Sequence, residues 1–202
     1  MVRTTAEQVA RLKAGPASWN HWRATHPDRG IELSNANLVE LQLSGADLRE
    51  ADLRGSRLNR SNLGGADLVS SYLIGASLIE ANLSGADLRG ANLSLANLSG
   101  ADLRGADLRL ANLNGVDLRE ADLRGADLSL ADLSFASLEG ANFIGADLGE
   151  AILTETSFRT AQVKEALFCD NPGLSPHAKA YLVSQGALFI NELRLLATAK
   201  IV

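Results

Sequence analysis

The chain lacks several features on which other protein classes depend. Its 202 residues include one cysteine, Cys169, so no internal disulfide framework can form. Aromatic residues make up 4% of the sequence although 46% is hydrophobic, so any core must consist mainly of leucine and alanine. No long apolar run and no charged-then-apolar leader is present, which predicts a cytoplasmic protein without a membrane span.

Basic residues are scarce in the middle of the chain. Residues 31–170 carry 11 Lys and Arg against 21 Asp and Glu, whereas the two ends are mildly basic. Binding to nucleic acid depends on Lys and Arg that neutralise phosphates. We therefore expect no direct binding of nucleic acid by this region.

The residues that usually carry catalysis are few and scattered. The three histidines, His21, His26 and His177, lie outside residues 31–170, and no other candidate ligand clusters with them. Cys169 has no base beside it in the sequence, and the many aspartates are not arranged around a histidine. The sequence therefore predicts no enzymatic activity, no metal and no cofactor.

Leucine recurs at every fifth position, as in GADLREADLRG at residues 45–55. Five residues turn an α-helix by about 140°, so these leucines would scatter around its surface. In a continuous strand an odd period sends successive leucines to opposite faces. The period instead predicts a solenoid, in which the chain turns a corner every five residues and returns each leucine to one interior.

The repeat runs in phase from Leu33 to Phe168, which makes 28 pentapeptides, 24 of them centred on leucine. The tetrapeptide Gly-Ala-Asp-Leu begins at Gly45 and recurs every 20 residues up to Gly145. This longer period predicts four pentapeptides per coil, a square cross-section and about seven coils. Stacked at about 4.8 Å, the coils would form a rod roughly 30 to 35 Å long.

The motif A(D/N)LxG resembles the consensus of the pentapeptide-repeat family over residues 31–170. The resemblance implies an all-β solenoid, a right-handed quadrilateral β-helix. The stretches WNHWRATHPD (19–28) and DNPGLSPHAKAYLVSQGALF (170–189) are similar to end segments of many bacterial, notably cyanobacterial, members.

A solenoid must cover its open ends, and sequence outside the repeat is found at both. We predict a helical N-terminal cap over residues 1–30, in which Thr4 and Glu7 begin a helix and Trp19 and Trp22 cover the first coil. A binding surface is the alternative role of the two tryptophans. We predict a C-terminal cap over residues 171–202 made of a helix, a short strand and a last helix.

The 20-residue period assigns outward residues to four faces. One face stacks an acidic ladder of Asp47, Asp67, Asp87, Asp107, Asp127 and Asp147. Asp is favoured in turns because its side chain bonds to nearby backbone, which is the structural interpretation. The functional alternative is attraction of a basic partner or imitation of DNA.

Another face carries large apolar residues that the repeat does not require. This apolar face, the candidate interaction face, consists of Tyr72, Ile74, Leu95, Leu110, Leu130, Phe135 and Ile152. Apolar clusters of this size often mark protein contacts, although scattered surface apolar residues are also common.

Together these features predict a non-enzymatic interaction or scaffold protein with a protein partner and no membrane contact. The alternative, implied by the resemblance, is a DNA-mimicking regulator or inhibitor of a type II topoisomerase such as gyrase. A homodimer could form through residues 187–202, where several family members pair, or through the apolar face.

Overall fold

The computed structural model describes residues 5–190. Two helices come first, α1 (Thr5–Lys13) and α2 (Pro16–Thr25). After the coils come a two-residue strand β1 (Leu167–Phe168), helix α3 (Pro176–Ser184) and strand β2 (Leu188–Phe189). Thr4, which was predicted to cap α1, and the predicted last helix lie outside the described residues.

Between α2 and α3 the chain winds in coils of 20 residues, with one pentapeptide on each side. Residues at equivalent places in successive coils form single parallel bridges, such as Asp47 with Asp67 and Tyr72 with Asn92. Each side is held by bonds like that from the Leu48 amide to the Asp67 carbonyl, 2.7 Å long. A bond from the Ala51 amide back to the Leu48 carbonyl, 3.1 Å long, closes the turn that follows. The molecule is therefore a quadrilateral β-helix.

The interior is a column of leucine with alanine at its margins. The 24 repeat-centre leucines are at most 1% exposed. Burial of one leucine side chain contributes about 1.5 to 3 kcal/mol, which is the main force that offsets the entropy of ordering each coil.

Every corner of the coil has a left-handed backbone conformation. Glycine supplies it at Gly45 (φ 67°) and Gly125 (φ 65°), as the sequence predicts. The structure adds that side-chain-bearing residues adopt the same conformation at other corners, among them Glu50 (φ 58°) and Leu110 (φ 61°). The corner geometry is thus imposed by the coil and is not confined to glycine.

The N-terminal cap satisfies the backbone of the first coil. Trp19 and Trp22 are 0% and 4% exposed, which confirms that they cover the end of the rod. The side-chain amide of Asn20 donates to the Gly45 carbonyl and accepts from the Asp47 amide, both at 2.8 Å. Gln8 makes the equivalent pair with Gly30 and Glu32 on the neighbouring side. Two side chains therefore take the place of a preceding coil, which leaves those edges unavailable for pairing with another chain.

The C-terminal cap closes the other end with aromatic rings and one strand. Phe143, Phe158, Phe168 and Phe189 form a chain of ring contacts with centroids 5.3 to 5.7 Å apart. Strand β2 pairs in parallel with β1 and extends the last side by one layer. Ser175 caps α3 by accepting a hydrogen bond from the Ala178 amide, as predicted from the Ser-Pro pair.

Candidate functional site

The acidic ladder is built from turns that use their own aspartates. Asp47 accepts a hydrogen bond from the Arg49 backbone amide at 3.3 Å, and Asp67 accepts one from the Val69 amide at 3.2 Å. Asp147 makes the same bond to Gly149 at 2.8 Å. Each carboxylate therefore fastens the turn that follows its own side, which is the structural role anticipated for this position.

Arginines hold much of the ladder in ion pairs. The Arg49 guanidinium contacts Asp47 through two hydrogen bonds, 2.8 and 2.7 Å long, and also lies 3.3 Å from Asp67. Arg89 and Arg109 repeat the arrangement, each pairing with its own aspartate at 2.6 Å and with the aspartate of the next coil at 3.6 to 3.7 Å. Three arginines thus contact five of the six ladder aspartates.

These pairs keep the carboxylates ionised. Hydrogen bonding from Arg49 lowers the pKa of Asp47 below its usual value, and partial burial opposes that shift. Arg89 and Arg109 lower the pKa of Asp87 and Asp107 in the same way. The ladder is therefore a strip of alternating charge and not a continuous negative surface.

The apolar face stands out from the rod as the repeat predicts. Six of its seven members are more than a third exposed: Tyr72 50%, Leu95 69%, Leu110 65%, Leu130 50%, Phe135 59% and Ile152 38%. Ile74 differs, because the structure leaves it only half-buried. The exposed part of the face therefore consists of six side chains, with Ile74 in a supporting position.

Four members of the face occupy left-handed corners. Leu95, Leu110, Leu130 and Phe135 have φ of 58° to 62°. This conformation costs a residue with a side chain roughly 1 to 2 kcal/mol compared with the right-handed one. Among the described residues, the other side-chain-bearing corners carry Glu, Asn, Arg, Ser or Asp. Every apolar corner in this part of the chain thus borders the same face.

The middle of the apolar face is short of charge. Its central column runs through Tyr72, Asn92, Asn112, Asp132 and Ile152, which bridge in sequence from one coil to the next. Asp132 is the single charged residue of that column between Tyr72 and Ile152. The column is therefore flat, regular and almost neutral.

Two clefts lie at the caps and not inside the rod. One of about 500 Å³ lies between α2 and the first coils and is lined by residues that include Arg23, Asp28 and Arg49. The other, of about 510 Å³, lies between Phe158 in the last coil and His177 and Tyr181 of α3. Within residues 5–190, no three His, Cys, Asp or Glu side chains are grouped as a metal site would require. No helix in that range has the length and apolar character needed to cross a bilayer.

The family model for pentapeptide repeats matches this chain over residues 29–65, 56–94, 91–129 and 131–168. The chain belongs to the pentapeptide-repeat family. Its fold is accordingly the right-handed quadrilateral β-helix of that family. None of the curated proteins is similar enough in sequence to match the chain.

Solved structures of the family resemble the chain over most of its length. HetL, a protein involved in heterocyst differentiation regulation in Nostoc sp. strain PCC 7120, is 34% identical with a TM-score of 0.48, over 72% of this chain and 74% of HetL. The protein alr5209 from the same cyanobacterium is 33% identical with a TM-score of 0.42, over 54% of this chain and 84% of its own. Full-length QnrB1, a plasmid-mediated fluoroquinolone resistance protein, is 18% identical with a TM-score of 0.41, over 77% of this chain and 97% of its own.

Sequence analysis placed the two faces but missed how the arginines act. The Asp-Leu-Arg triplet was the available signal, since it also occurs at Asp52, Asp102, Asp117 and Asp122 with the same bidentate bond. An arginine two residues after an aspartate lies on the same outward surface, so the pairing follows from the spacing.

Proposed function

We propose that this protein is a non-enzymatic interaction protein that binds another protein chain through its apolar face. One observation carries the proposal: four large apolar side chains are exposed by half or more of their area at corners whose backbone conformation favours glycine. They contribute little to the core and incur a conformational cost. Burial against another protein would recover that cost, because apolar area removed from water stabilises by about 25 cal/mol per Å².

The geometry of the rod suits this role. Successive coils fix the exposed residues at a spacing of about 4.8 Å on a scaffold whose interior is fully packed. The side chains are therefore held in place before binding, which lowers the entropy lost when a partner docks.

Regulation of a topoisomerase by imitation of DNA draws less support from the same molecule. Imitation requires a surface on which negative charge is free to meet a basic partner. Here Arg49, Arg89 and Arg109 contact most of the acidic ladder. We therefore expect no effect on gyrase supercoiling at near-stoichiometric protein, and inhibition or protection from a quinolone would reverse this ranking.

A photo-crosslinking experiment tests the proposed binding face. A photoreactive phenylalanine analogue would replace Leu110 on the apolar face or, as the control, Asn82 on another face. We expect one defined protein to be linked at position 110 in source cells and not at position 82, with competition by added wild-type protein.

The specificity control is a variant with Leu95, Leu110, Leu130 and Phe135 all changed to Ser. This variant should fail to compete, because the apolar area that the proposal needs is gone. Equal linking at both positions, or equal competition by the variant, together with an unchanged association state, would show that the apolar face is not an interface.

A further inference from the structure

The exposed residues of the apolar face are arranged symmetrically along the rod. Tyr72 and Ile152 lie in one column, each 40 residues, or two coils, from Asn112. Leu95 and Phe135 lie at one corner, each 20 residues from Gly115. Leu110 and Leu130 lie at the other corner, each 10 residues from the level of residue 120. The three centres fall within half a coil, about 2 Å along the rod.

We propose that a second copy of this chain covers the apolar face, with the two rods antiparallel and a two-fold axis crossing the face at Asn112. Rotation about an axis that lies in the face and across the rod exchanges the two members of each pair and keeps each corner on its own side. Tyr72 then meets Ile152 of the second copy, Leu95 meets Phe135, and Leu110 meets Leu130. A two-fold interface must be complementary to itself in this way.

The charges near the face agree with the same axis. Asp132 is placed opposite Asn92 of the second copy, because each lies 20 residues from Asn112. Glu150 is placed opposite Gly90, and Glu155 opposite Gly75, by the same count from residues 120 and 115. Each of these acids therefore meets a neutral residue, and the like-charge contacts that oppose association are avoided.

Side-chain direction and area also fit a second copy. Leu95 leans along the rod over the next corner, since a Cβ placed on Gly115 would lie 2.9 Å from the Leu95 Cδ2 atom. Leu95 is thereby directed towards the proposed axis. The six exposed side chains present roughly 600 Å² of mainly apolar area on each copy. Specific interfaces bury about 800 Å² on each partner, and the neutral residues between the six would supply the remainder.

This proposal rests on the proposed function, because it names the protein that covers the same face. Sedimentation of the full chain over a range of concentrations measures self-association directly. We expect a concentration-dependent dimer and at least a tenfold weaker association for the double variant Leu110→Ser with Leu130→Ser. Circular dichroism and thermal melting would establish that the variant is folded.

A matched control separates this face from the C-terminal end. Leu188 is 40% exposed on the C-terminal cap, within the region where pairing was considered as an alternative. Leu188→Ser should leave the dimer unchanged. Loss of the dimer with Leu188→Ser, but not with the double variant, would overturn the proposal.

Crosslinking tests the antiparallel orientation. In a Cys169→Ser background, Asn112→Cys or Glu32→Cys would be treated with a bis-maleimide that spans roughly the 10 Å between packed sheet faces. Position 112 lies on the axis and should link two copies. Glu32 belongs to the same column, four coils away, which places it about 38 Å from its counterpart in the antiparallel dimer, so it should not link.

The outcomes distinguish the two proposals. Linking at both positions would mean parallel rods and would overturn the two-fold arrangement proposed here. A chain that stays monomeric at every concentration would overturn the dimer. If that monomer still links a different protein at position 110, the proposed function stands while the second copy is excluded as its partner.

Discussion

Two corners of one side of the rod, at Gly125 and Leu130, carry opposite residues. They are five positions apart on either side of the buried Leu128, and their φ angles are 65° and 62°. Gly125 belongs to the glycine column beside the acidic ladder, whereas Leu130 belongs to the apolar face. The same backbone conformation is therefore occupied once by the residue that it favours and once by a residue that it penalises.

The difference separates what the fold requires from what the surface adds. A Cβ built on Gly125 meets nothing within 4 Å, so that corner needs glycine for its backbone conformation and not for space. Leu130 has the same conformational requirement and is 50% exposed, so burial in the core does not explain it. The residues that depart from the repeat are thus the ones that point to an interaction.

Truncation of a core leucine and of a corner leucine should give the largest contrast. Leu113 is 1% exposed and Leu110, three residues earlier, is 65% exposed. We expect Leu113→Ala to lower the free energy of unfolding by about 3 to 5 kcal/mol, because it leaves a cavity in a packed interior. Leu110→Ala should change it by no more than about 0.5 kcal/mol.

Urea denaturation followed by circular dichroism would measure both variants. Because stacked coils can unfold in stages, the comparison should use the whole transition and not only its midpoint. A loss of similar size in the two variants would mean that Leu110 supports the fold, which would remove the main argument for the apolar face.

Exchange of the two corner residues is expected to have opposite effects of intermediate size. Gly125→Leu should destabilise by about 1 to 2 kcal/mol through its left-handed conformation alone. Leu130→Gly should stabilise the isolated chain by about 0.5 to 1 kcal/mol while it removes part of the apolar face. Thermal melting at low protein concentration, where association does not contribute, would measure both effects. The interpretation is wrong if both exchanges destabilise the chain, since Leu130 would then make contacts on which folding depends.

Much of the rod could be predicted from spacing because one short pattern specifies both its interior and its corners. The phase of Leu33 to Phe168 placed every central side chain inside, and the 20-residue period assigned residues such as Tyr72 and Asp47 to their faces. Periodicity gives the direction of a side chain, which is why the outward positions of the apolar face could be anticipated.

What the sequence could not supply depends on contacts between different parts of the chain. Gln8 and Asn20 replace a coil through side-chain amides, and no local pattern indicates which backbone groups they reach. The half-buried state of Ile74 likewise depends on its neighbours in adjacent coils. The cost of the apolar corners also became apparent only from their φ angles, because the sequence alone does not distinguish a left-handed leucine from an ordinary surface leucine.

The smallest expected effect concerns the acidic side of the comparison. Arg49→Gln removes the hydrogen bonds that lower the pKa of Asp47, and the pair is exposed enough that the loss should be at most about 1 kcal/mol at neutral pH and low salt. Because the folded-state pKa of Asp47 lies below its unfolded value, this stabilisation is present above about pH 4 and is lost as the pH falls through the folded-state pKa. Urea midpoints of the two proteins should therefore differ at pH 7, approach each other below pH 4, and differ less at 1 M salt, where screening is strong. A difference that persisted unchanged at low pH would show that Arg49 acts through packing of its aliphatic stem and not through the charge that it neutralises on the ladder.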